Sequence, residues 1–386
     1  MTVARIESTS KVRMHYTFVR NSLSFCRSYL KERLPLRYFI DSLIRYKTLW
    51  YLHEMEVEEF LLYRLWRPEL SVERYRSFIG WKKHIQSLIA LNPVQYRCLT
   101  ENKHIFYAYC KSHHLPTPEI FGIYDPFIPE FDGLKVVRSV NELKDFLVTK
   151  GISECVVKPA EGTRGQSILA LKFNEKKNTF CRVNGQEISD ELLGKTLSEY
   201  NYRDASQSTF LIQRRLRPHP STMELSKNVP FSYRVLTILD GKGSPRVIEV
   251  YAKCPVGDTD TDNWELGGLT IRLDEKGICY GANDNAEYRF DIMTKHPDHD
   301  FEFKGWKAPF YKEVCDLGLK LAECFYFARC VAWDIIAAED GVYVIEGNNP
   351  WSVSQQEVYD QGLWQNVFAE EAMKAIESGP LRSPWW

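Results

Sequence analysis

The stretch Val156 to Leu171, VVKPAEGTRGQSILAL, constrains the fold more than any other in the chain. Two apolar runs flank a loop containing Gly162 and Gly165, and Lys158 stands before that loop rather than behind it. A Walker A loop ends in Gly-Lys-Ser/Thr at a helix N-terminus, and a dinucleotide fingerprint needs Gly-x-Gly-x-x-Gly there. Neither pattern occurs in this stretch. Val156 and Val157 instead end one strand, and Ile168 to Leu171 form the strand that returns. The tip, Glu161 to Ser167, can then turn backbone N–H groups toward an anion, because glycine allows positive φ and close approach. Lys158 supplies a point charge at the base. An ordinary surface hairpin with a lysine beside it accounts for the same residues, so this stretch alone leaves both readings open.

At 386 residues the chain exceeds the size at which one core keeps growing, so two or three subdomains are expected. Residues 15 to 95 read as helical, with Phe39, Leu43, Tyr46 and Leu49 at spacings of three and four. Charge concentrates there: residues 1 to 50 carry ten Lys and Arg against Glu7, Glu32 and Asp41, in a chain whose net charge is -1. Such a segment packs on its own domain or docks on an anionic membrane or an acidic partner. No nucleic-acid motif accompanies it, so nucleic acid is not expected as a partner. The ten cysteines include no Cys-x-x-Cys pair, and no apolar run of bilayer length occurs, which together predict a cytoplasmic protein.

From about residue 100 short strands and turns take over. Lys103 falls near the start of a helix that ends at His114-Leu115-Pro116. A helix is expected over 190–200, a strand in STFLIQRRLRPHP that runs into a Pro-rich exit, strands over 231–240 and 246–253, a helix over 311–328, and two last strands, CVAWDII and VYVIEGNN.

Asp334 lies in the first of those last strands. Glu346 and Asn348 lie two apart in the second, so strand alternation points them to one face. A three-residue loop, Glu339-Asp340-Gly341, with Gly341 at positive φ pairs Ala338 with Val342 and sets Asp334 opposite Glu346. A two-residue Asp340-Gly341 turn sets Asp334 opposite Gly347 and splits the group. The first register is expected, with the two Cα atoms about 4.5 to 5.5 Å apart. Two carboxylates and an amide oxygen suit magnesium, which takes one or two carboxylates and completes its shell with phosphate and water. Ile336, Val342 and Val344, expected on the same face, argue for a cleft rather than a solvated hairpin end.

The order of these features resembles the ATP-grasp superfamily. The segments RRLRPHP, YRVLTIL, DTDNWELGGL, KHPDHDFEFKGW and VAWDIIAAEDGVYVIEGNNP are similar, more narrowly, to the sugar-transfer-associated ATP-grasp proteins linked to polysaccharide biosynthesis. The resemblance implies an α+β ATP-grasp fold, two α+β subdomains clasping ATP behind an N-terminal helical region. The expected divisions are 1–95 for the helices, 96–213 for the subdomain with the glycine-loop hairpin, and 214–386 for the subdomain with the metal site.

Carried over position by position, the resemblance makes Lys103 and Lys158 the nucleotide-binding lysines. Gly162, Thr163, Arg164, Gly165, Gln166 and Ser167 become the loop that closes over the phosphates, and Gln213 falls in the linker that receives adenine. Many relatives have glutamate near Gln213, which leaves the ribose contact open. Arg234 is aimed at the transferred phosphate, Lys253 stands where related ligases often carry arginine, and Asn263 precedes Gly267-Gly268. Asp334, Glu346 and Asn348 hold Mg2+. Ser232 replaces an acidic residue often found two before the arginine and receives no role. His296 and His299 are assigned to substrate contact or loop structure rather than to zinc, since Pro297 precludes a helical His-x-x-His site.

The implied activity is an ATP-dependent carboxylate–amine ligase, ADP-forming, that makes an amide through an acyl phosphate. Its substrates are a small carboxylic acid and an amine, sugar-linked. The same scaffold serves a kinase acting on a hydroxyl or phosphate acceptor, which the sequence does not separate from the ligase. A protein that only binds a partner is disfavoured by the nearly complete set of phosphate and metal ligands.

Overall fold

The computed structural model describes residues 20–128, 133–162, 167–199, 209–226, 229–257, 267–284, 292–353, 356 and 361–378. The chain divides into two compact units, 91–351 and 1–90 with 352–386.

The 1–90 unit is helical where described, with helices over Phe39–His53, Val57–Leu62 and Trp81–Leu91 and an aromatic core of Phe25, Tyr29, Tyr46, Phe60 and Phe78. Gln356 returns to this unit: its side chain bonds both the N–H and the carbonyl of Ile79, each at 2.9 Å.

The 91–351 unit contains two sheets. Strands β1 (Ile120–Tyr124), β2 (Lys135–Val137), β3 (Glu154–Pro159), β4 (Leu169–Asn174), β5 (Thr179–Arg182), β6 (Glu187–Ile188) and β7 (Phe210–Arg214) form the first, in the order β2-β1-β7-β3-β4-β5-β6. The expected hairpin is β3–β4, antiparallel with Val157 opposite Leu169. Helices Val140–Lys150 and Asp190–Glu199 supply Leu143, Leu147, Leu193 and Leu197 to the core of this sheet.

Strands β8 (Ser232–Leu239), β9 (Pro245–Cys254), β10 (Leu269–Leu273), β11 (Cys279–Asn283), β12 (Cys330–Ala338) and β13 (Gly341–Asn348) form the second sheet, in the order β11-β10-β9-β8-β12-β13. Its two faces differ sharply. One cross-strand row runs Ala282, Ile271, Ala252, Tyr233, Ile335 and Val344, all buried in one core with Val314, Leu317 and Leu321 of the helix Tyr311–Cys324. The neighbouring row runs Gly281, Arg272, Tyr251, Arg234, Asp334 and Glu346. Strand alternation makes this division, since successive residues point to opposite faces. Burying each large aliphatic side chain contributes about 1.5–3 kcal/mol, which holds the apolar row on the helix and leaves the polar row on the other side.

Asp334 lies opposite Glu346, as expected, but by a different route. The connecting loop is Glu339-Asp340 alone, because Ala338 pairs with Gly341 rather than with Val342. The pairing then runs regularly to Ile335 opposite Val344, and the next step skips Ile345. That bulge restores the register the shorter loop would have lost. It also corrects the expected faces. Val344 pairs with Ile335 in the apolar row, and Val342 packs against the same core, so neither shares the face of Glu346. Gly341 has the expected positive φ, 146°.

Candidate active site

Asp334 is the electrostatic centre of the polar row. Its carboxylate receives Arg234 through both Nε and Nη2, the latter at 2.9 Å, and Lys253 Nζ at 2.8 Å. Lys253 sits two residues along β9 from Tyr251, so it projects from the same face as Arg234. Burial pushes the Asp334 carboxyl upward, but Arg234, Lys253 and the hydrogen bonds overcome that and hold it well below the usual carboxylate range. Arg234 is raised in turn: burial lowers it, and the charge of Asp334 more than compensates.

Glu346 faces Lys103 Nζ at 3.6 Å, and Asn348 donates its amide nitrogen to the carbonyl of Ala332 at 3.3 Å, which leaves its oxygen for a hard cation. Two carboxylates on paired strands with an amide oxygen one alternation further fit magnesium. Gly347 makes this spacing possible. It points to the apolar side, where a Cβ would lie 2.7 Å from the ring of Trp333.

The two lysines reach the same region from the helix Lys103–Ser112 and from β3. Asn102 caps the helix Lys103–Ser112 by accepting from the Ile105 N–H at 3.1 Å, and its amide nitrogen reaches Glu161 at 2.9 Å. The Lys103 backbone donates to Ala160 at 2.7 Å, and its Nζ lies 3.3 Å from the Gly162 carbonyl. The helix start is thereby tied to the mouth of the glycine hairpin. Lys158 donates to the Tyr107 hydroxyl at 2.7 Å. Burial, then the charge of Lys103, lowers the Lys158 ammonium to about 7, against the pull of Glu346.

No sequence motif singles out Tyr107. Its hydroxyl donates to the carbonyl of Ile345, the bulged residue before Glu346, at 2.7 Å, and also interacts with Gln213. The available signal was spacing: Tyr107 lies four residues after Lys103, on the same helical face. Gln213 itself is buried in β7, paired to Ile120 on one side and Val156 on the other, and its Nε2 donates to Pro118 at 3.2 Å.

The structure thus brings Lys103, Lys158, Arg234, Lys253, Asp334 and Glu346 into linked contacts, with Gly162 and Asn348 beside them and Gln213 beneath Tyr107. Ser167 closes the hairpin at φ 57°. Thr163, Arg164, Gly165, Gln166 and Asn263 lie outside the described residues. His296, Asp298 and His299 hold their candidate ligand atoms within 4.8 Å of one another. His296 Nδ1, however, accepts from the Asp298 N–H at 3.1 Å, and Nε2 faces the Pro255 carbonyl at 3.4 Å, so one ring nitrogen holds the turn and the other ties it to the segment after β9.

The chain resembles several solved structures. Biotin carboxylase from Campylobacter jejuni is 12% identical over 79% of this chain and 55% of its own, with a TM-score of 0.47. D-Alanine-D-alanine ligase from Helicobacter pylori is 11% identical over 75% and 64%, with a TM-score of 0.39. N5-carboxyaminoimidazole ribonucleotide synthetase from Thermotoga maritima is 12% identical over 76% and 53%, with a TM-score of 0.38. The chain therefore spans less than two thirds of each of these relatives. No curated protein matches its sequence. A family model described as sugar-transfer associated ATP-grasp matches residues 85–371, which include every residue of the polar row and both lysines. The chain belongs to the sugar-transfer associated ATP-grasp family.

Proposed function

We propose that the protein is an ATP-dependent carboxylate–amine ligase that forms an amide through an acyl phosphate, on a sugar- or amino-acid-type substrate in polysaccharide biosynthesis. The observation that carries this reading is the placement of Arg234 and Lys253 around Asp334, directly opposite Glu346 and within one ion pair of Lys103.

A substrate carboxylate oxygen attacks the γ-phosphorus of ATP, and the bond to the β-phosphate oxygen breaks to release ADP. The amine then attacks the acyl carbon, phosphate leaves, and the amine gives up a proton. Lys103 and Lys158 bind the nucleotide phosphates, and Arg234 and Lys253 orient and neutralise the phosphoryl group in transit. Asp334, Glu346 and Asn348 would hold Mg2+, which supplies neutralisation of phosphate charge. The Gly162–Ser167 loop excludes water from the acyl phosphate, which water would hydrolyse. Asn263 and the adenine-binding role of Gln213 belong to the same reading. All ten cysteines are free, which supports a reducing, cytoplasmic location. No helix of the described residues is long and apolar enough to cross a membrane.

Hydroxylamine tests the chemistry. Incubated with MgATP, candidate acids and no amine, the ligase yields ADP and a hydroxamate together. ADP with a stoichiometric phosphate ester and no hydroxamate would establish a kinase instead.

A further inference from the structure

The helix Phe39–His53 is apolar on two sides. One side is buried: Tyr46 stacks on Phe25 at 5.1 Å between ring centres, and Leu49 and His53 are inaccessible beside it. On the other side Ile40, Ile44 and Tyr51 recur at helical spacing and are 73%, 60% and 76% exposed. A surface helix ordinarily carries polar residues on its outward face, and a helix apolar all round is normally covered. The same pattern precedes it. Leu23 and Leu30, seven residues apart in the helical stretch 20–31, are more than half exposed, and Leu36 in the connection is 70% exposed.

Cations are interleaved with these side chains. Lys47, between Ile44 and Tyr51, is half-buried with its Nζ 5.5 Å from the centre of the Trp50 ring, and Arg27, between Leu23 and Leu30, is exposed. Arg20, Lys31, Arg33 and Arg37 are also exposed, against Glu32; Asp41 is taken by Arg45 at 2.7 Å. We propose that this surface docks on an anionic lipid bilayer, with Ile40, Ile44, Tyr51, Leu23 and Leu30 entering the acyl boundary and the arginines and lysines meeting lipid phosphates.

Interleaving favours lipid over the alternatives. At a bilayer long cationic side chains lie along the apolar surface and lift their charge to the phosphates, so a face that mixes exposed aliphatic side chains with several exposed positive charges meets both parts of an anionic lipid surface at once. A second copy of the chain would set two positive faces against each other across a twofold axis. Attachment of this kind is peripheral, driven by buried apolar area together with attraction to anionic headgroups. It is independent of the ligase reading.

The test is flotation of the full chain with phosphatidylcholine vesicles, with and without phosphatidylglycerol, at low and high salt. The wild type is expected to float with the anionic vesicles at low salt and to be released as salt rises. The exposed-site variant I40S/I44S/Y51S and the charge variant R33E/R37E should each lower partitioning by about tenfold or more, because they remove the two independent contributions. The proposal is overturned if the wild type floats no better with anionic than with neutral vesicles, or if both variants float as well as the wild type. It is equally overturned if vesicles are ignored while sedimentation shows a dimer that the I40S/I44S/Y51S variant dissolves, which would give the face to a second copy.

Discussion

Tyr107 donates its hydroxyl proton to the carbonyl of Ile345 at 2.7 Å and receives a hydrogen bond from Lys158 at the same distance. One buried hydroxyl therefore joins a lysine of the glycine hairpin to the bulge that sets Glu346 opposite Asp334. Tyr107→Phe keeps the ring and deletes that joint. The expected loss is about 1–3 kcal/mol of stability, because Lys158 and the Ile345 carbonyl each lose a buried partner. Calorimetry should also show weaker binding of both ATP and MgATP. Unchanged nucleotide affinity would mean that Lys158 and the bulge hold their positions without Tyr107.

Lys158 makes pH a probe of the site. Its pKa is about 7 in the folded chain, against about 10.4 when unfolded. Between these values the unfolded state binds more protons, so stability rises with pH over that window, and Lys158→Met should flatten the rise. Nucleotide phosphate favours the charged ammonium. Binding above about pH 7 should therefore take up a proton, and affinity should fall as pH increases, by at most about tenfold per unit. Titration calorimetry in buffers of different ionisation enthalpy measures the uptake; finding none at about pH 8 would contradict the role given to Lys158.

Asp334 balances two largely buried cations, so its charge serves the fold as well as any metal. Asp334→Asn retains the shape but leaves Arg234 and Lys253 without a full countercharge, and about 3–5 kcal/mol of destabilisation is expected in denaturant unfolding. MgATP-dependent turnover should fall with it. The double variant Asp334→Asn/Lys253→Met should recover part of the stability and none of the turnover.

Gly347 separates Glu346 and Asn348 in β13 and faces Trp333. Gly347→Ala puts a methyl group 2.7 Å from a fully buried ring, so about 1–3 kcal/mol of overpacking strain is expected. Since the ring backs the strand carrying Glu346 and Asn348, half-saturation with magnesium should shift to higher concentration. A thermal midpoint equal to that of the wild type would show that Trp333 gives way freely.

The local elements were legible in the residues because each is specified over a few positions. Asn102 caps the helix that begins at Lys103, and the apolar runs around Gly162 pair as β3 and β4. The placement of Glu346 and Asn348 on one face needed only strand alternation. The route by which Asp334 meets Glu346 was not local. Both a two- and a three-residue loop fit the residues, and the three-residue one is expected, whereas the chain uses two and inserts Ile345 as a bulge. The bulge's carbonyl is held by a tyrosine 238 residues away in sequence, and a helix packed on the sheet selects Val344 for the other face. The clustering of Arg234, Lys253 and Asp334 likewise depends on the order β9-β8-β12, which brings together strands separated along the chain. Sequence thus determined the helix that begins at Lys103, the β3–β4 hairpin and the shared face of Glu346 and Asn348, through short-range capping and alternation. Register across strands, the countercharges of Asp334 and the use of Tyr107 were decided only in the tertiary structure, because packing between distant segments sets them.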